Sequence, residues 1–93
     1  DISVVFGAGG NRDKGKRPRM GAVAGRFAKK IYVTSDNPRD EVPEMILEDI
    51  LVGLYGKDHV TATPDRKLAI KMALDDLGEN DVLLILGKGD EDY

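Results

Sequence analysis

The chain has 93 residues, of which 41% are apolar and 33% charged, and its formal net charge is -3. That length admits one small domain burying only about 60 to 65% of the surface its unfolded chain exposes, and the charge balance gives no reason to expect a nucleic-acid partner. The absence of cysteine excludes a disulfide framework and a thiolate metal site, and the single His59 cannot build a histidine cluster.

No apolar run approaches the roughly 18 residues of a membrane-spanning helix, and no leader sequence opens the chain. No membrane partner is therefore expected, and a reducing cytoplasm is the expected compartment. A start at Asp1, directly on a strand-like run, is what a piece cut from a longer protein would show.

In chain order, Ile2 to Phe6 (ISVVF) reads as a buried strand, closed by glycine. A helix is expected from Pro18 to about Lys30, with Met20, Val23, Ala24 and Phe27 on one face. Ile31 to Thr34 (IYVT) forms a second strand. Pro43 opens a second helix that turns Met45, Ile46, Ile50 and Leu54 inward and stops near Gly56. A weaker strand follows at His59 to Ala62. Pro64 opens a third helix, packed through Leu68, Ile70, Met72, Ala73 and Leu77 and ended by Gly78, and Val82 to Leu86 (VLLIL) is the last strand. Alternating strands and helices of this length predict an α/β fold, a Rossmann-like parallel sheet with helices on both faces, in a single domain over residues 1–93.

In such sheets ligands bind beyond the carboxyl ends of the strands, where helix N-termini also point. Three loops leave that edge with distinctive chemistry: GAGGNRDKGKR, SDNPRDE and GKGDEDY. The first nearly spells a P-loop, with Gly10, Gly15 and Lys16 in register, but Arg17 stands where a Mg²⁺-binding hydroxyl is required and Pro18 removes an amide from the first helical turn. What it offers instead is a cluster of cations, Arg12, Lys14, Lys16 and Arg17, beside four glycines. A single cation of this kind is as often simply solvated; the group points to an anion.

In the second loop Pro38 restricts Asn37 to an extended backbone, and Arg39 follows as a planar fork suited to a carboxylate. Taken alone it reads as a turn before a helix, with Asp40 as N-cap. The third loop has the opposite sign: Gly87 and Gly89 permit close approach to the backbone, and Glu91 can accept from an ammonium. A guanidinium and a carboxylate held apart on one sheet edge match a zwitterionic amino acid.

The motifs VVFGAGGNRDKGKRPRMG, VTSDNPR and GKGDEDY, in this order and spacing, resemble the C-terminal domain of the Mur ligases of peptidoglycan synthesis, over Val4 to Tyr93. The likeness is greatest to those that add meso-diaminopimelate to UDP-N-acetylmuramoyl-L-alanyl-D-glutamate. The resemblance implies that Arg12, Asp36, Asn37, Pro38, Arg39, Gly87 and Glu91 bind meso-diaminopimelate, and that Lys14, Lys16 and Arg17 face phosphate when the domains close. It further implies an ATP-driven ligation through an acyl phosphate, with ATP, Mg²⁺ and the UDP-sugar held mainly by other domains of a three-domain enzyme. No catalytic residue or metal ligand is then expected in this stretch, which would be inactive alone and would close against its own central domain. Lysine lacks one carboxylate of diaminopimelate, and leaving Arg39 unpaired would cost roughly 1 to 3 kcal/mol, a basis for rejecting it.

The sequence departs from the family at Asn11, Ala8 and Asp90, where members commonly carry Asp, Cys and His. The change at Asp90 puts a negative charge beside the expected site, so no role of that histidine carries over. Two alternatives share the architecture: a sibling ligase domain, lysine-adding or folylpolyglutamate synthetase-like, which would lack DNPR, and a receiver-like signalling module, which needs an acidic pair where glycines follow the first strand.

Overall fold

A computed structural model describes residues 1–8, 15–35 and 41–86 of the chain. The elements are β1 (Ile2–Ala8), α1 (Lys16–Phe27), β2 (Lys30–Ser35), α2 (Pro43–Val52), β3 (Val60–Ala62), α3 (Arg66–Asp75) and β4 (Val82–Ile85). The four strands form one parallel sheet in the order β3-β2-β1-β4. The chain steps outward from β1 to β2 to β3, then returns across the sheet to β4. Crossovers of one hand then put α1 and α2 on one face and α3 on the other.

Alternation along the central strands builds the two half-cores. Val4, Phe6, Ile31 and Val33 point toward α1 and α2 and meet Ala24, Ile46, Leu47, Ile50 and Leu54. Val5 and Tyr32 point the other way and meet Ala69 and Ala73 of α3. Continuous apolar runs in β1 and β2 thus reflect strands covered on both faces, as in other parallel sheets. The α/β architecture expected from the sequence is what the chain forms.

Details of the helices differ from expectation. Helix α1 starts at Lys16 rather than Pro18, because a proline in the first turn sacrifices no helical hydrogen bond. It ends at Phe27, where Ala28 turns extended and Lys29 donates its amide to Ile2. Its buried face is Arg17, Gly21 and Ala24, since α1 leans on α2; Val23 and Phe27 remain 52% and 40% exposed. In α2 the buried stripe is Ile46, Leu47 and Ile50, while Met45 is 59% exposed. The run MILEDILV is apolar at so many positions that periodicity alone cannot orient it.

Helix α3 starts after Asp65, whose side chain accepts the Leu68 amide at 3.2 Å, and it buries Ala69 and Ala73 rather than Leu68. Small side chains bring that helix close to the sheet. It stops at Asp75, short of Gly78, and α2 stops at Val52, short of Gly56. Strand β3 begins at Val60 because His59 holds a left-handed backbone, φ 61°. The expected cap at Asp40 lies outside the described residues; α2 has Val42 at its N-cap and Pro43 in its first turn.

Candidate functional site

Because all four strands are parallel, β1, β2 and β4 finish on the same edge of the sheet. Ala8 pairs with Ser35 in the β1–β2 register, Val5 pairs with Ile85 in the β1–β4 register, and the Leu86 amide donates to the Val5 carbonyl at 2.8 Å. Residues 9–14, 36–40 and 87–93 therefore continue from neighbouring strand ends on one edge. The residues expected to contact an amino acid, Arg12, Asp36, Asn37, Pro38, Arg39, Gly87 and Glu91, lie outside the described residues, as does Lys14. What can be read directly is the frame from which they extend.

Lys16 is exposed at the start of α1, on the carboxyl edge. Arg17, grouped with it as phosphate-facing on sequence, is placed differently: its side chain is 1% exposed and engaged with two carboxylates. Its Nη1 donates to Glu41 Oε1 at 3.0 Å and to Asp49 Oδ2 at 2.8 Å, and its Nη2 donates to Glu41 Oε2 at 2.9 Å. Two parallel bonds to one carboxylate form the fork geometry that only a guanidinium provides. The hydrogen bond to Glu41 is the main cause that raises the Arg17 pKa above its ordinary value; burial opposes it and Asp49 adds to it. A cation held so closely by anions is poorly available to a phosphate.

The two partners explain why sequence reasoning missed this. Glu41 and Asp49 stand 24 and 32 positions from Arg17, and no local pattern announces a pair at that separation. The only signal was negative: Arg17 occupies a position where a P-loop requires a hydroxyl, so its side chain needed some other employment.

At the far side of β2, the Ser35 hydroxyl donates to the Pro64 carbonyl at 3.1 Å, and Thr63 donates its amide to Val33. These bonds hold the end of β2 against the segment leading into α3. Between α1 and the β1–β4 pair runs an open groove of about 410 Å³, lined mainly by Val4, Phe6, Met20, Val23, Phe27 and Leu86. Its charged lining residues, Lys16 and Arg19, are both cations, so among the described residues it offers no carboxylate to an ammonium. Among the described residues no three His, Asp or Glu side chains gather as a metal site would require, and no helix is long and apolar enough to cross a membrane.

Similarity to known proteins bears on the same edge. The family profile described as Mur ligase, glutamate ligase domain, matches residues 1–89. The chain is 64% identical over 92 residues to the UDP-N-acetylmuramoyl-L-alanyl-D-glutamate--2,6-diaminopimelate ligase of Helicobacter hepaticus, covering 99% of this chain and 20% of that protein. It is 58% identical over 89 residues to the ligase of the same name from Aquifex aeolicus, covering 96% of this chain and 18% of that protein. With the Helicobacter pylori (strain J99) ligase it shares 56% over 90 residues, 97% of this chain and 20% of that protein. The chain spans about a fifth of the length of the curated relatives it matches. With a four-stranded parallel sheet and a match over nearly its whole length, the chain belongs to the Mur ligase family, in its glutamate ligase domain.

Proposed function

We propose that this chain is the amino-acid-recognition domain, C-terminal in a three-domain enzyme, of an ATP-dependent ligase that joins meso-diaminopimelate to UDP-N-acetylmuramoyl-L-alanyl-D-glutamate. The observation that carries the reading is the 64% identity, over 99% of this chain, to a ligase named for that addition. The sheet edge supports it: DNPR, residues 36–39, continues from the end of β2, adjacent to the end of β1 from which Arg12 follows.

In this reading Arg12, Asp36, Asn37, Pro38, Arg39, Gly87 and Glu91 hold meso-diaminopimelate. Arg39 pairs with a carboxylate and Glu91 accepts from an ammonium, so the dipolar end of the substrate spans the two loops. Such clamping orients the attacking amine toward an acyl group, which converts an encounter of two molecules into a step within one complex. ATP supplies the activation, as an acyl phosphate on the D-glutamate carboxyl; the nucleotide and Mg²⁺ are assigned chiefly to the remainder of the protein. In the same reading Lys16, exposed at the start of α1, neutralises phosphate when the parts close together. A reaction that consumes ATP and a UDP-sugar belongs in the cytoplasm.

The deciding experiment measures ATP turnover by the full-length ligase with its UDP-linked dipeptide and either meso-diaminopimelate or L-lysine. Turnover with meso-diaminopimelate and little with lysine is the expected result. Equal rates would reassign the chain to a less selective ligase of the same family.

A further inference from the structure

The Arg17–Glu41 pair joins the exits of two candidate substrate loops. Residues 9–14 lead into α1, where Arg17 is the second helical residue; residues 36–40 lead directly into Glu41. The starts of the same two loops are already registered, because Ala8 and Ser35 are paired neighbours in the sheet. We infer that Arg17 is a positioning residue, acting through Glu41 on Arg39, two residues earlier in the chain. The inference rests on the reading of residues 36–39 as the meso-diaminopimelate contact.

Three features of the pair fit that role better than generic stabilisation. The first is its geometry: bonds of 3.0 and 2.9 Å from two nitrogens to two oxygens fix orientation as well as distance. The second is its anchorage, since Asp49 on the body of α2 takes a further 2.8 Å bond from Nη1 and fixes the guanidinium to that helix. The third is proximity along the chain. Glu41 is two residues beyond Arg39, so a displacement of its carboxylate is passed along a very short tether. Small misplacements of a substrate-orienting group have large effects on how it binds.

The test uses the full-length ligase carrying this chain, with Glu41→Gln, which keeps shape but removes the charge, and Arg17→Lys, which keeps the charge but removes the fork. Ile31→Val, a core change at the opposite end of β2, serves as a control for loss of stability. KM values are measured for meso-diaminopimelate, ATP and the UDP-linked dipeptide, together with kcat. We expect the KM for meso-diaminopimelate to rise about tenfold in Glu41→Gln and Arg17→Lys, a coupling of ordinary size for residues in contact, with the other two KM values within about twofold. The rise should disappear when Glu41→Gln is made in an Arg39→Ala background, because there is then no fork left to position.

All three KM values moving together, as a partly unfolded enzyme would show, would overturn the inference; so would a Glu41→Gln effect that multiplies undiminished onto that of Arg39→Ala. A raised KM in Arg39→Ala with unchanged values in both clamp variants would overturn it while leaving the substrate reading intact. An unchanged KM in Arg39→Ala would overturn both.

Discussion

The Tyr32 hydroxyl donates a 2.8 Å hydrogen bond to Asp76 Oδ2, tying the middle of β2 to the C-terminal end of α3. Burial first, then the hydrogen bond and the charge of Asp76, push the phenol pKa from 10 up to about 12. The folded state thus holds this proton more tightly than the unfolded chain does. The associated stability is complete below about pH 10 and is lost as the pH rises through about 12, a change on the order of 2 kcal/mol. Urea unfolding midpoints of this chain should fall across that window, and Tyr32→Phe should flatten the fall. An identical alkaline slope in the variant would remove Tyr32 as its cause.

Helices α1 and α2 meet through glycine. A methyl group added at Gly53 would collide with the Pro18 carbonyl, and one added at Gly21 with the Ile50 carbonyl; both obstacles are backbone and cannot rotate away. Gly21→Ala and Gly53→Ala are each expected to cost about 1 to 3 kcal/mol, the usual range for overpacking. Gly25→Ala meets only the Leu54 side chain at 3.2 Å and gains helix propensity, so its thermal midpoint should stay near the parent's. Equal losses at all three positions would mean that the helices are not so closely apposed.

These contacts also mark how far the sequence could be read. Strand positions were legible because short runs of branched apolar residues have few other uses, although Gly7, read as closing the first, lies inside β1 and pairs with Thr34; the carboxyl edge followed from the alternation of elements. Inward helix faces were less so: MILEDILV permits several stripes, and the choice of Leu47 over Met45 depends on how α2 lies on the sheet. Ala73 was read as packed, but Ala69 was passed over for Leu68, because hydrophobicity favours the larger side chain while close packing favours the smaller. The loops proposed to hold the amino acid stood out as motifs, by charge sign and spacing. The clamp behind them was not, since Arg17 and Glu41 are brought together only by the packing of α1 on α2.

Asp65 caps α3 by accepting the Leu68 amide, and its own amide is held by Thr63 Oγ1 at 3.3 Å. Asp65→Ala should lower stability by about 0.5 to 2 kcal/mol, and Asp65→Asn, which retains an oxygen acceptor, by less. Urea denaturation of the two variants separates the cap from any wider role. A larger loss in Asp65→Asn than in Asp65→Ala would contradict it.

Selectivity between diaminopimelate and lysine gives the most direct view of Arg39. The two amino acids differ by one carboxylate, so a ligase with the proposed function distinguishes them through whatever that carboxylate touches. If Arg39 is the partner, lysine leaves a guanidinium without its anion, a loss of roughly 1 to 3 kcal/mol, or about 5- to 150-fold in kcat/KM. Arg39→Ala should raise the KM for meso-diaminopimelate strongly and lower the preference over lysine toward unity, because the unpaired charge disappears with the side chain. Arg39→Lys should restore only part of the preference, since a point charge lacks the paired donors of the fork. Both substrates must be assayed in the full-length ligase at matched concentrations of ATP and UDP-linked dipeptide. A preference for diaminopimelate that survives intact in Arg39→Ala would place the discriminating contact elsewhere on the carboxyl edge, with Arg12 the next cation to test.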